Sequence, residues 1–530
     1  MPATKPRLAI GPSDFAKLRS PGTLYIDKSA LIRKVLNDPT EVMLLPRPRR
    51  FGKTTNLSML RYFFEKTAED HSALFQDLSV WRDEDARAHF GRYPVIALTF
   101  KDIKGLTWPE TLAGIKQELS RAYADHLYLL QDLSLMPAKA ARFEDILARR
   151  GEVEIYQESL RALTGTLRHY HGAPVILLLD EYDTPLHAAY AHGYYPEAVS
   201  FFRGLLSGAL KDNAALFKGV VTGILRIAKE GLFSGLNNLG VYTLLHPDFA
   251  SDFGFTEPEV AYLVEQTQSS LSLEALRDWY NGYSFGGQVI YNPWSVLWAL
   301  RNEQVGPYWR HTGSDEVIRE LLLRFSADYE DGFSRLLQGE GLRQPVLDSV
   351  ALGDVNQRSE TLWSFLLYAG YLKATDVKLA SDEGWEMTVR LPNREVAGVF
   401  QGVFREWLAR SLGGAPQVEE LLRALLGGDA GGVEVHLGRL LLESASFLDA
   451  TERAVAMTPE QVYHAFVLGL LVHLQPRYLV RSNRESGHGR YDILLEPRES
   501  GQPGVVHQSL GLHRLERQLH VDVGALERRL

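Results

Sequence analysis

The chain contains no cysteine among its 530 residues. Disulfides, thiolate catalysis and cysteine-ligated zinc are therefore excluded. No apolar stretch reaches the ~20 residues that a membrane-spanning helix needs. The opening MPATKPRLAIGPSDF lacks the apolar core of a signal peptide. A strong charge of either sign is also missing: 57 Lys and Arg against 66 Asp and Glu leave a net charge of −9. A nucleic-acid surface would have to be a local patch, not a global field. No internal repeat and no long low-complexity tract interrupts the sequence. These absences lead to the expectation of a soluble, cytoplasmic protein with no membrane partner. Its length exceeds one compact core, so two to four domains are expected.

Among the features present, RPRRFGKT at 47–54 is the most informative. It follows the apolar run EVMLL and precedes TNLSMLRYFF, where Leu57, Leu60 and Phe64 recur at helical spacing. A strand, a loop and a helix in this order make a phosphate-binding loop. Arg50, Phe51, Gly52, Lys53, Thr54 and Thr55 are the candidate nucleotide-binding residues. Gly52 lets backbone N–H groups approach a phosphate, Lys53 reaches the β/γ-phosphates, and the Thr54 hydroxyl takes one place on Mg²⁺. The ligands so implied are ATP and Mg²⁺. The usual first glycine is replaced by Arg47; the competing reading is a basic surface turn.

The second half of such a site is VILLLDEYD at 175–183. An apolar strand ending in Asp-Glu suits phosphoryl transfer. Asp180 can hold Mg²⁺ and Glu181 can polarise an attacking water. The strand PVIALTF (94–100) should lie between the two motifs in the chain. A further strand, FKGVVTG (217–223), ends near Thr222, which could sense the terminal phosphate; Arg226 could reach it as a cation supplied in cis. Equally, Thr222 could cap a turn and Arg226 could be solvated. With VYTLL (241–245), five buried runs separated by helical stretches predict a parallel sheet covered on both faces.

Beyond residue 250 runs such as SVLWALRN and TLWSFLLYAGYL read as helical. The expected organisation is a P-loop domain at 1–249, a mainly helical region at 250–412, a glycine-rich linker at 413–432, and a small α/β domain at 433–530.

These motifs together resemble the predicted AAA-type ATPases of bacteria and archaea that carry a C-terminal PD-(D/E)XK nuclease-like domain. The resemblance runs through IGPSDFAKLR, LYIDKSALI, LLPRPRRFGKTTNLSMLRYFF, VILLLDEYDTPL and GVVTGILRIAKEGLFSGLNNL, then WYNGYSFG, YNPWSVL, LPNREV, YHAFVLGLL and SNRESGHGRYDILLEP. It implies ATP binding, hydrolysis and a nuclease-like domain. An arginine in place of the first loop glycine is usual in such proteins. Glu460 matches the helix glutamate of the nuclease motif and Asp492 its first strand carboxylate, both metal ligands. The next strand, near 504–506, should carry Glu-x-Lys, yet the chain reads GVVHQSLGLHRLERQL, and no lysine follows Lys378.

The leading expectation is thus an ATPase with an incomplete, inactive nuclease-like domain. A nucleotide-gated switch that holds nucleic acid or protein without turnover is the alternative, and an active Mg²⁺-dependent nuclease is disfavoured. His507 is a lone imidazole near the expected strand. Arg477, Arg481, Arg484 and Arg490 form a basic stretch that suits nucleic acid or a solvated face. The residues after 507 are expected to lack order or to form a short amphipathic helix around HRLERQL.

Overall fold

The structure is a computed structural model. It describes residues 6–309 apart from 134–135, 227–231 and 234–235, most of 330–411, short stretches between 420 and 436, and strands within 478–507. The chain divides into two compact units. One joins Met1–Thr312 to Arg343–Glu395; the other joins Gly313–Leu342 to Val396–Leu530.

The first unit is built on a five-stranded parallel sheet flanked by helices. Its strands are β1 (Val42–Pro46), β2 (Val95–Thr99), β3 (Val175–Asp180), β4 (Leu216–Gly223) and β5 (Leu239–Val241), in the order β2-β3-β4-β1-β5. Every residue of β1 and β3 is buried. Continuous apolar strands of this kind need cover on both faces, so the crossovers are helical. Helix α1 (Lys53–Phe64) follows β1 and buries Leu57, Met59, Leu60, Phe63 and Phe64. Helix α2 (Trp108–Ala124) follows β2; Thr107 caps it and Pro109 lies in its first turn. Helix α3 (Tyr195–Leu210) precedes β4 and buries Phe201, Phe202, Leu205 and Leu206.

The register brings the strand ends together. Thr99 pairs with Asp180 across β2 and β3, and Leu45 with Thr222 across β1 and β4. Strand β3 enters the sheet two places from β1, with β4 between them. The run expected as a strand at 241–245 pairs only through Val241. After it the chain turns inward: Tyr242 packs its ring on Phe249 and donates through its hydroxyl to Asp38.

The expected boundary at 250 falls inside this compact unit, and the stretch 250–412 is not simply helical. Helices Glu257–Thr267, Leu273–Tyr280 and α4 (Pro293–Asn302) bury Val260, Leu263, Leu276, Val296, Ala299 and Leu300 in a common cluster with Ile26. Between them lies the hairpin Tyr283–Phe285 and Gln288–Ile290. A three-stranded sheet adds Leu342–Leu347, Gly384–Arg390 and Lys373–Ser381, in that order across the sheet. Its outer hairpin leaves Val377 and Leu379 exposed, so no continuous apolar run marks it.

In the second unit, Tyr478–Ser486, Gly489–Pro497 and Val505–His507 form an antiparallel sheet with the middle strand carrying Asp492. Glu460 and Arg477, and the tail after His507, lie outside the described residues.

Candidate functional site

The site begins at the turn out of β1. Arg47 stands where a flexible residue is usual, and its side chain is wholly buried. Its guanidinium donates to the carbonyls of Pro46 (2.8 Å), Tyr242 (2.6 Å) and Phe249 (3.1 Å). It also lies over the rings of Phe253 and Phe285, at 5.0 and 5.4 Å from their centroids. Burial pushes its pKa down to about 10, against the pull of Asp252. Arg47 therefore anchors the root of the loop to the layer behind it. The ring of Phe51 serves the same layer, edge-on to Tyr283 at 4.8 Å. Its carbonyl accepts from Gly254 N–H at 3.1 Å.

Gly52 caps α1 in the left-handed region, at φ 84°. A β-carbon is strained in that conformation, which explains glycine at the helix entrance. Lys53 is almost fully buried. Its ammonium donates to the carbonyls of Arg47 and Pro48, both at 3.0 Å. The loop thus curls around the cation. Burial lowers its proton affinity, while Glu181, Asp180 and Asp183 oppose that effect. Thr55 sits half-buried in the first turn of α1.

Three strand ends and one helix start meet at Asp180. Its carboxylate accepts from the Thr54 hydroxyl at 2.6 Å and from the Thr222 hydroxyl at 2.7 Å. The Thr99 hydroxyl stands 3.5 Å away. Burial raises the proton affinity of Asp180, and the neighbouring Glu181 adds to it; the hydroxyl donors oppose both. Glu181 follows with a left-handed backbone, φ 49°, uncommon for a residue with a β-carbon. Its carboxylate accepts from the Thr184 hydroxyl at 3.2 Å. Arg226 lies half-buried beyond β4. Its carbonyl accepts from Val350 N–H and its charge is felt by the Tyr368 hydroxyl, which places it beside Val350 and Tyr368.

Sequence reasoning brings Lys53, Thr54, Asp180, Glu181 and Thr222 to one place, and the fold gathers them there. It missed Thr99, whose apolar run gave no sign of chemistry, and Asp183. The latter is fully buried and accepts from the N–H groups of Ile224 and Leu225 at 2.8 and 2.9 Å. It ties down the turn after Thr222. A β-carbon on Gly223 would come within 2.7 Å of its other oxygen, so glycine is required beside it. The third acid of DEYD was the available signal.

A cleft of about 1120 Å³ runs beside α1. Thr54, Thr99 and Asp180 line it, as do Glu118 of α2 and the aromatic residues Tyr62, Tyr128 and Tyr170. Glu118 accepts from the Thr99 N–H at 3.3 Å, so the carboxylate of α2 reaches the same strand end. Among the described residues, no group of three or more His, Asp or Glu side chains forms a metal cage, and no helix is long and apolar enough to cross a membrane.

Residues 9–233 match the family described as a predicted AAA-ATPase, AAA-ATPase-like. That stretch holds the loop, Asp180, Thr222 and Arg226, and the match supports an ATPase family for it. Over 502 residues the chain is 26% identical to an "uncharacterized protein in vnfD 5′ region" of Azotobacter chroococcum mcd 1, covering 92% of this chain and 87% of that protein. A Walker-type ATPase of Pyrococcus abyssi aligns in structure over 71% of this chain and 94% of its own, with a TM-score of 0.33 and 13% identity.

Proposed function

We propose that this protein binds ATP at residues 50–55 and hydrolyses it with Mg²⁺. One observation carries the reading: Thr54 and Thr222 both donate to the buried Asp180 carboxylate, at 2.6 and 2.7 Å, beside the Lys53 ammonium cradled by its own loop.

The donor set fits Mg²⁺. Asp180 and Thr54 offer hard oxygens, and among the described residues the Asp180 carboxylate is met by the Thr54 and Thr222 hydroxyls. Mg²⁺ needs few protein ligands when substrate phosphates supply the rest. Bound with the triphosphate, it would neutralise charge on the phosphate oxygens. The remaining work belongs to the chain. Lys53 exchanges its two carbonyl partners for phosphate oxygens. The N-terminus of α1 directs its free N–H groups at the same anion. Glu181 orients a water and accepts its proton, and Thr222 keeps Asp180 in place and senses the terminal phosphate.

We also read 433–530 as a nuclease-like domain that does not cut. Its support is the placement of Asp492 on a middle strand whose neighbour, Val505–His507, carries neither Glu nor Lys.

The decisive experiment is ATP turnover by the full chain with Mg²⁺. Glu181→Gln should slow turnover by roughly 10²–10⁴-fold, the usual worth of a positioned base, and leave ATP affinity in calorimetry within a factor of a few. Equal turnover in the variant would remove Glu181 from this role.

A further inference from the structure

We infer that Trp294, which lies outside the matched stretch 9–233, is a positioning residue of the nucleotide site, holding Arg50 for the terminal phosphate. The inference rests on the ATP-binding reading above and specifies which part of the ligand this pair addresses.

Most of the loop is locked from behind. Arg47 is tied to three carbonyls, and Phe51 is packed on Tyr283 and Phe285. Pro48 is pressed by Gly370, where an added β-carbon would come within 2.7 Å. Arg50 is held differently. Its backbone is left-handed, φ 68°, which turns the side chain out of the loop. Its guanidinium lies 4.1 Å from the centroid of the Trp294 ring. The Coulombic field of Glu181 reaches it there, so it stands near the end of β3.

The indole is itself fixed. Its N–H donates to the Tyr308 carbonyl at 3.2 Å, and its backbone N–H to the Asn292 side chain at 3.0 Å. Asn292 caps α4 and is fully buried. Trp294 is therefore a rigid platform at the start of a helix.

The manner of holding matters. A salt bridge would spend the donors of the guanidinium on a carboxylate. A cation–π contact takes only the face of the group and leaves its in-plane N–H fork available. Among the described residues, no acceptor takes a hydrogen bond from Arg50. The arrangement suits an anion that arrives later and needs a planar, multidentate donor, as a phosphate group does. Lys53 is poised from inside the loop and Arg50 from outside it. The ligand class is a nucleoside triphosphate, with the outermost phosphate taken by Arg50.

The test compares the slowly hydrolysed triphosphate ATPγS with ADP, each with Mg²⁺, on the full chain. Wild type should favour ATPγS, and Arg50→Ala and Trp294→Leu should each cut that preference about tenfold, with ATPγS affinity falling more than ADP affinity. Trp294→Phe, which keeps a weaker π face, should lose less. Intrinsic tryptophan emission should change on ATPγS addition and should not change in Trp294→Phe. A purely structural Trp294 would weaken both nucleotides alike, or would lower thermal stability with the preference intact; either result overturns the inference. Wild type that binds neither nucleotide overturns the ATP reading itself. Wild type that binds both, with Trp294→Leu retaining its full preference, overturns only the role given to this pair.

Discussion

Two buried carboxylates in the first unit sit in contrasting surroundings. Asp180, at the end of β3, is answered by two threonine hydroxyls. Glu395, in LPNREV, accepts from the Trp309 backbone N–H at 2.7 Å and the Ser295 hydroxyl at 2.8 Å. Burial raises the proton affinity of both, that of Glu395 up to about 7. The difference lies in what can be exchanged. A backbone N–H cannot turn away, so Glu395 is bound into the layer that carries Trp309 and α4. Hydroxyls can rotate, so the donors on Asp180 can give way to a cation. Asp180 also lines an open cleft. Burial and a raised proton affinity are common to both acids, so they do not by themselves mark a functional one; replaceable partners beside an open cleft single out Asp180 for the role proposed above.

The largest expected effect tests that contrast directly. Asp180→Asn should reduce Mg²⁺-dependent ATP turnover by roughly 10²-fold or more, since even outer partners of a metal are worth 10- to 100-fold. Glu395→Gln should leave turnover within a factor of a few. Assayed side by side, equal losses in the two variants would erase the distinction. In the absence of nucleotide, Asp180→Asn should raise the melting temperature, because it removes a charge that burial disfavours.

Glu395 should show itself in stability instead. Its proton affinity is higher folded than unfolded, so the folded state binds the extra proton. The stability this brings is fully present below the ordinary value of 4.5 and is lost as pH rises through about 7. The span corresponds to a decline on the order of 3 kcal/mol. Denaturant titrations between these limits should flatten in Glu395→Gln. A wild-type profile that rises with pH across the window, with no difference in the variant, would show that Glu395 does not titrate this way.

Lys53→Ala comes next. It removes a charge-assisted contact worth roughly 1.5–3 kcal/mol, so ATP affinity should fall about 10- to 150-fold. The loop should survive, because Arg47 and Phe51 anchor it independently of Lys53. Calorimetry showing unaltered affinity would exclude Lys53 as the phosphate contact.

This independence of anchor and contact explains what was legible in the sequence. The runs VMLL, VILLL and GVVT are strands buried on both faces, and VIALT is one only partly covered along the cleft; such burial leaves a continuous apolar trace. Asp180 and Thr222 could be read because they stand where such traces end, and Thr54 because it opens the helix that follows one. The scaffold of the site could not. Arg47 looks like a surface cation, and only the carbonyls of Tyr242 and Phe249, far along the chain, make it a buried anchor. Trp294 resembles any apolar residue of a helix until Arg50 is found on its face. The hairpin Lys373–Ser381 and Gly384–Arg390 was missed although WEMTVR alternates with a period of two. Its partner, KATDVKLAS, spreads charge along an exposed face, and the helical runs around it dominated the reading.

The smallest expected effect concerns a third carboxylate, Asp492, and there the expectation is no change. It lies within Gly489–Pro497, the middle strand of an antiparallel sheet, next to Ile493, which pairs with His507, unlike Asp180 at the C-terminal end of a parallel strand. Parallel strands all point their ends at one edge, so Thr99 of β2, Asp180 of β3 and Thr222 of β4 converge there with Thr54 at the start of α1. An antiparallel ladder alternates its directions, and a carboxylate within it depends on residues carried by the adjacent strand. That strand, Val505–His507, offers no carboxylate and no lysine. Cleavage of a phosphodiester needs an oriented water and positive charge at the scissile phosphate as well as a metal ligand. The purified full chain should therefore leave supercoiled plasmid intact with Mg²⁺, and Asp492→Ala should behave as wild type. Mg²⁺-dependent nicking by wild type that disappears in Asp492→Ala would show that another residue supplies the missing cation, and that Asp492 belongs with Asp180 among the working acids.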